Sequence, residues 1–134
     1  MRHCRNLLTA VILGAWLVCA ASASGASLRY DGIYRRKGDA GEYTLYLRFY
    51  SDGTALSVAA SETPEQVVQW FHRGPGAPSG GHFTAKGASI RFTIIGFESR
   101  EDCAGTIKED SLMLKCQGGR RALRFDFVPL HLTK

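Results

Sequence analysis

The chain lacks the short signatures that announce catalysis. There is no G-x-S-x-G elbow, no glycine loop of the phosphate-cradling kind and no cysteine–histidine nucleophile pair, so no residue pattern supports hydrolytic, nucleotide-dependent or thiol chemistry. His72 and His82 flank a glycine loop and His131 lies in the tail, but no third ligand follows at metal-binding spacing, and a zinc site needs three or four. Glu98, Glu101 and Asp102 crowd one loop. Paired carboxylates do acid–base work when burial drives their pKa values apart, and Arg100 between them suits a solvated loop instead. No catalytic residue, metal or cofactor is expected. Long apolar runs are also missing: the best candidate, Leu7 to Ala20, is short for a span of about 20 residues.

That apolar run reads as a targeting segment. Arg2 and Arg5 give it a positive start, and Ala21-Ser22-Ala23 supplies small residues for a signal peptidase. The expected signal peptide is 1–23, with cleavage as late as residue 26 offered by Ser24-Gly25-Ala26. Trp16-Leu17-Val18 ahead of Cys19 is not the small-residue setting of a lipoprotein cysteine. The expected home is the periplasm or the medium, with no transmembrane span after cleavage. Loss of Arg2 and Arg5 lowers Lys plus Arg from 17 to 15 against 12 acids, and the formal charge from +5 to +3. Much of the basic character therefore belongs to the leader, and nucleic acid is not an expected partner. Cys103 and Cys116 remain in the processed chain, and an oxidising compartment makes a disulfide between them the default.

Residues 27–130 read as one antiparallel β domain. Tyr43, Leu45, Leu47 and Phe49 alternate with Thr44, Tyr46, Arg48 and Tyr50, the period of two expected of a strand with distinct faces. Asp52-Gly53 then signals a hairpin. An even loop would set Phe49 opposite Leu56 and Leu47 opposite Val58, gathering the apolar residues on one face; an odd loop would oppose Ala55 and Ser57 instead. The even register is expected. Thr63-Pro64-Glu65-Gln66 carries a capping box with proline at the first helical position, and Val67, Val68 and Phe71 fall on one face with Trp70 at its margin. Lys86-Gly87 marks another tight turn, pairing Ala85 with Ala88 and Phe83 with Ile90. A turn centred on Glu109-Asp110 pairs Ile107 with Leu112 and sets Cys103 directly opposite Cys116, close enough for a cross-strand bond. Leu123, Phe125 and Phe127 line one face of a last strand.

The sum is an all-β, eight-stranded antiparallel meander with one short helix between strands three and four, and eight strands can close into a barrel. A two-sheet sandwich is the alternative. The tight turns fall at one end and the long connections at the other, so the second end carries the rim. Gly32-Ile33-Tyr34 resembles the G-x-W of lipocalins, with Tyr34 in the tryptophan's place, and Arg124 is similar to the arginine that packs over that tryptophan. The resemblance covers the topology and these three positions. It implies a lipocalin-like (calycin-like) barrel that binds a small apolar or anionic ligand.

The charges at the rim agree with such a role. Strand one ends at the rim with Arg35, Arg36 and Lys37, and strand eight begins there with Arg120 and Arg121, so closure would cluster five cations. Trp70 and Phe71 of a helix folded over the mouth would add an apolar surface. The alternative is a protein-binding module, similar in kind to periplasmic barrels that inhibit proteases or lysozyme, with exposed Tyr46 and Tyr50 as anchors. An interior void large enough for a chain of carbons would favour the first class, and a solid core with an exposed aromatic patch the second.

Overall fold

The computed structural model describes residues 26–130 apart from residues 40, 97, 98 and 118; the expected signal peptide, Glu98 and His131 lie outside the described residues. Eight strands, β1 (Gly32–Lys37), β2 (Thr44–Phe49), β3 (Thr54–Ala60), β4 (Ser79–Lys86), β5 (Ser89–Ile95), β6 (Arg100–Ile107), β7 (Ser111–Cys116) and β8 (Leu123–Pro129), form an antiparallel meander. It closes by pairing β8 with β1, so the expected barrel is the fold and the sandwich is not. Between β3 and β4 one helical turn, α1 (Pro64–Val67), runs into a 3-10 turn at Val68–Trp70. Its start follows the sequence signal: the Thr63 hydroxyl accepts from the Gln66 N–H, and the Gln66 side chain accepts from the Thr63 N–H.

The β6–β7 register is as expected, with Ile107 opposite Leu112 and Cys103 opposite Cys116. These cysteines are bonded, their Cα atoms 4.0 Å apart, and they belong with the interior residues. The β4–β5 turn lies one residue further along than expected, at Gly87-Ala88, which shifts the register by two. Lys86 pairs with Ser89 and Phe83 with Phe92, and because the shift is even, every side chain keeps its expected face.

The β2–β3 hairpin departs from expectation in a more consequential way. Phe49 pairs with Ala55, Leu47 with Ser57 and Arg48 with Leu56. The connection is odd: the Tyr50 N–H donates to the Thr54 carbonyl, and Gly53 turns the chain at φ +90°. Asp52 holds the turn by accepting from the Thr54 N–H. Leu56 and Val58 consequently point out of the barrel. The even register was expected on the premise that only one face of this hairpin is buried, and here both are. Ala55 and Ser57 on the inner face leave room for the rings of Phe49 and Phe83, which meet edge to face at 5.2 Å.

The fold therefore has two apolar clusters. The interior one contains Tyr34, Leu47, Phe49, Ile90, Phe92, Leu112, Leu114 and Phe125 among others. Edge-to-face contacts link Phe127 to Tyr34, Tyr34 to Phe49, and Phe49 to Phe92 at 5.0–5.8 Å, so aromatic rings cross the barrel from β8 to β5. The second cluster lies outside, where Ile33, Tyr46, Leu56 and Ala60 pack against Val67 and Phe71. The helix thus covers the outer wall of β1–β3; the expectation that Val67, Val68 and Phe71 close the rim from within is overturned. The outward turn of Leu56 and Val58 supplies the apolar surface that so short a helix needs. At the tight-turn end, the segment before β1 adds a plug: Leu28 is buried with the interior residues, and the backbone N–H of Arg29 donates to the Tyr34 hydroxyl.

Candidate functional site

Strand alternation decides where the expected rim cations go. Tyr34 faces inward, so Arg36 two residues on shares its face at the mouth, while Arg35 and Lys37 take the outer face. Arg36 is bound to Asp39 at 2.9 Å, and its guanidinium, with Arg121 nearby, holds the Asp39 carboxyl below its ordinary range. Arg120 is exposed in the loop before β8. Arg35, Arg36 and Lys37 line, with Thr44, Arg124 and Asp126, a shallow depression of about 390 Å³ beside β8. Of the five expected cations, Arg35, Arg36 and Lys37 line one depression beside β8, and Arg120 and Arg121 are exposed in the loop that precedes that strand.

The helix residues divide in the same way. Phe71 is 6% exposed beneath the helix and Trp70 is 42% exposed above it, so of the two only Trp70 can meet a ligand. Trp70 borders a groove of about 480 Å³ with Val58, His72 and Pro78. Tyr46, expected as an exposed anchor, is 2% exposed and donates its hydroxyl to the Glu62 carbonyl at 2.6 Å. Tyr50 donates to the Phe71 carbonyl, and its ring is flanked by the guanidiniums of Arg48 and Arg73. Burial raises the pKa of its phenol. Both tyrosines tie the helix down. Arg124 stands outside the barrel bonded to Asp126; the arginine beside Tyr34 is Arg29, whose guanidinium lies 4.0 Å over the Phe127 ring.

The acidic trio expected in one loop is also divided by alternation. Glu101 shares the inward face of Cys103, whereas Asp102 points outward. There it accepts from the Thr93 hydroxyl and pairs with Arg100, and these bonds, Thr93 first, lower its pKa. Glu101 lies near the sulfurs of Cys103 and Cys116, but the bond between those sulfurs leaves no thiolates to hold a metal.

What the single-strand reading missed is the outer wall from β5 through β8 to β1. Its outward positions include Arg91, Arg100, Lys115, Arg124, Arg35 and Lys37, all exposed, against two carboxylates, Asp102 and Asp126. Beside it the outer face is apolar and covered by the helix. Charge and apolar surface thus occupy adjoining parts of the outer surface, with β1 contributing Ile33 to one and Arg35 and Lys37 to the other. A concavity of about 810 Å³ lies on the charged side over β4–β7 and is lined by Thr84, Arg91, Thr93, Arg100, Asp102, Lys115 and Gln117 among others. A parity count along each strand would have found these cations, once the eight strands were placed in order around the barrel.

No protein-family model, no curated protein and no solved structure matches the chain. Among the described residues, no helix is long and apolar enough to cross a membrane.

Proposed function

We propose that the protein is an exported binding protein that holds an anionic partner against its outer wall, and does not carry a ligand inside the barrel. The observation that carries this reading is the interior itself. Rings from β8, β1, β2, β4 and β5 meet within 5.0–5.8 Å of one another across it, and Leu28 enters from the tight-turn end. The lipocalin resemblance implies a barrel architecture here, but the space in which a lipocalin-like carrier would hold an apolar chain is occupied by side chains. The cationic wall from β5 to β1 is the largest remaining feature that selects a partner, and it selects by charge. Export rests on the leader pattern and agrees with a disulfide-bonded interior, since such bonds persist in oxidising compartments.

The test uses the processed chain. Titration with a long-chain fatty acid, followed by the fluorescence of Trp70, is expected to give no saturable change. Retention on an immobilised polyanion is expected at low salt and lost as salt rises, because exposed charges are screened beyond about 8 Å at physiological ionic strength. Reversal of Lys37, Arg91 and Lys115 to glutamate should abolish retention with the fold intact by circular dichroism. Stoichiometric fatty-acid uptake, or retention unchanged by the reversals, would overturn the reading.

A further inference from the structure

The cationic wall carries two concavities, and the one over β4–β7 is the larger, about 810 Å³ against about 390 Å³. In the cross-strand row Thr84–Arg91–Ala104–Lys115, adjacent residues are register partners on β4, β5, β6 and β7. All four side chains share the outer face, being two residues or a multiple of two from their outward neighbours on each strand. Ala104 is the low point: a methyl group stands between two long cations, opening the floor of the groove of about 810 Å³. Neighbouring strands are about 4.8 Å apart, so Arg91 and Lys115, two strands apart, rise from the wall roughly 10 Å from each other. That is too far for one carboxylate to engage both at their bases. A ligand with negative charges at intervals can engage both at once.

The next row toward the rim, His82–Thr93–Asp102–Gln117, lines the groove with polar side chains. Its one acid is already held by the Thr93 hydroxyl and by Arg100, so the groove as a whole is positive. The chemistry on offer is two spaced cations and a set of hydroxyl, imidazole and amide groups. We propose that this groove binds an acidic polysaccharide, a chain of sugar rings bearing carboxylates at intervals. The inference rests on the outer-wall reading above and gives it a place and a ligand class.

The same features disfavour other polyanions. Single-stranded nucleic acid is held by aromatic faces on which bases stack, and the two phenylalanines of the groove, Phe83 and Phe92, have their rings engaged with Phe49 inside the barrel. An acidic peptide binds an extended wall by adding a strand to a free edge, but β5 and β6 are paired on both sides along the groove. Sugar hydroxyls, in contrast, match the threonine, histidine and glutamine lining, and a space of this size suits a ligand of several rings.

Calorimetry of the processed chain with tetragalacturonate as the probe, read alongside backbone amide shifts, tests the assignment. Tetragalacturonate is expected to bind and to move the amides of Thr84, Arg91, Ala104 and Lys115. Neutral cellotetraose should bind at least tenfold more weakly, and hexaglutamate should not reproduce the shifts. The Arg91→Gln/Lys115→Gln pair should weaken tetragalacturonate at least tenfold. Ala104→Leu, which fills the floor without changing charge, should weaken it as well, and Arg36→Gln at the mouth should leave it unchanged. Amide spectra of each variant verify the fold, and if the double variant does not fold, Ala104→Leu carries the test alone.

Absence of tetragalacturonate binding would overturn the proposal, as would equal binding of hexaglutamate at the same amides or insensitivity to both groove variants. If the protein is retained on polyanions generally yet fails these tests, the groove assignment falls and the outer-wall reading stands. If it is not retained at all, both fall.

Discussion

Phe71 offers the most direct check on where the helix sits. It is buried with Tyr46, Leu56 and Ile33 on the outer wall, so truncation to alanine removes a ring from an apolar site and leaves a cavity. Such changes cost about 3–5 kcal/mol. The segment above it is one turn of α-helix and one of 3-10, which can sink partly into the space, and this favours the lower end, about 3 kcal/mol. For a domain of this size that corresponds to a fall in Tm of roughly 12–15 °C. Urea unfolding followed by circular dichroism should show a lower midpoint at unchanged slope, the mark of a stability change without a change in the surface exposed. Trp70→Ala, one residue earlier and facing solvent, should stay within about 0.5 kcal/mol. The partner is tested by a double-mutant cycle: Phe71→Ala with Leu56→Ala should be non-additive by about 0.5 kcal/mol or more, as expected of residues in one cluster. Additivity with Leu56, together with coupling to the inward Leu45, would return the helix to the mouth and refute the odd hairpin register.

Tyr46→Phe should destabilise by about 1–3 kcal/mol, because the Glu62 carbonyl loses its donor in a partly buried setting; unfolding midpoints at equal slope would measure it. Labelling of the denatured, unreduced processed chain should detect no thiol, and reduction should lower stability by up to roughly 3 kcal/mol on the loop-entropy account. The carboxyls of Asp31, Asp39, Asp52 and Asp102 should titrate below 3.8 by NMR, held down chiefly by Arg29, Arg36, Thr54 and Thr93 respectively. Their folded pKa values are depressed, so the stability they contribute is complete above the unfolded value near 3.8 and is lost as pH falls through the lower folded values. Midpoints at or above 3.8 would refute those bonds.

The fold was largely legible because a meander is built from neighbours. Each hairpin is specified within about 20 residues of sequence, and the β6–β7 pair carried two independent constraints, its turn and its cysteines, that agreed on one register. The β4–β5 pair tolerated a one-residue misplacement of its turn because this slips the register by two, and an even slip preserves faces. The β2–β3 hairpin had no such protection. Its register was judged on the assumption of a single buried face, and an odd connection reversed every residue of β3. From that one parity the rest follows: Leu56 turns outward, Phe71 finds it there, Tyr46 is buried, and the mouth loses its expected lid.

The site was far less legible, for a related reason. The capping box and the clustered arginines of β1 and the β7–β8 loop can be seen in a short window of sequence, and both drew attention to the rim. Arg91, Lys115 and Arg124 are separated by stretches of other residues and each reads as an ordinary solvent-facing strand position. Only closure shows that they share a wall with Arg35 and Lys37 on which, among the described residues, just two strand acids, Asp102 and Asp126, face outward. The remaining acids of the described chain lie mainly in turns and loops, such as Asp31, Asp39, Asp52 and Glu109, or point into the mouth, as Glu101 does. A modest net charge, +5 over the full sequence and +3 without residues 1–23, thus coexists with a strongly positive face. Net charge governs solubility, whereas recognition depends on where the charge is placed. In this barrel that placement is set by strand order and parity, so a composition that argues against a polyanion partner is compatible with a surface that suits one.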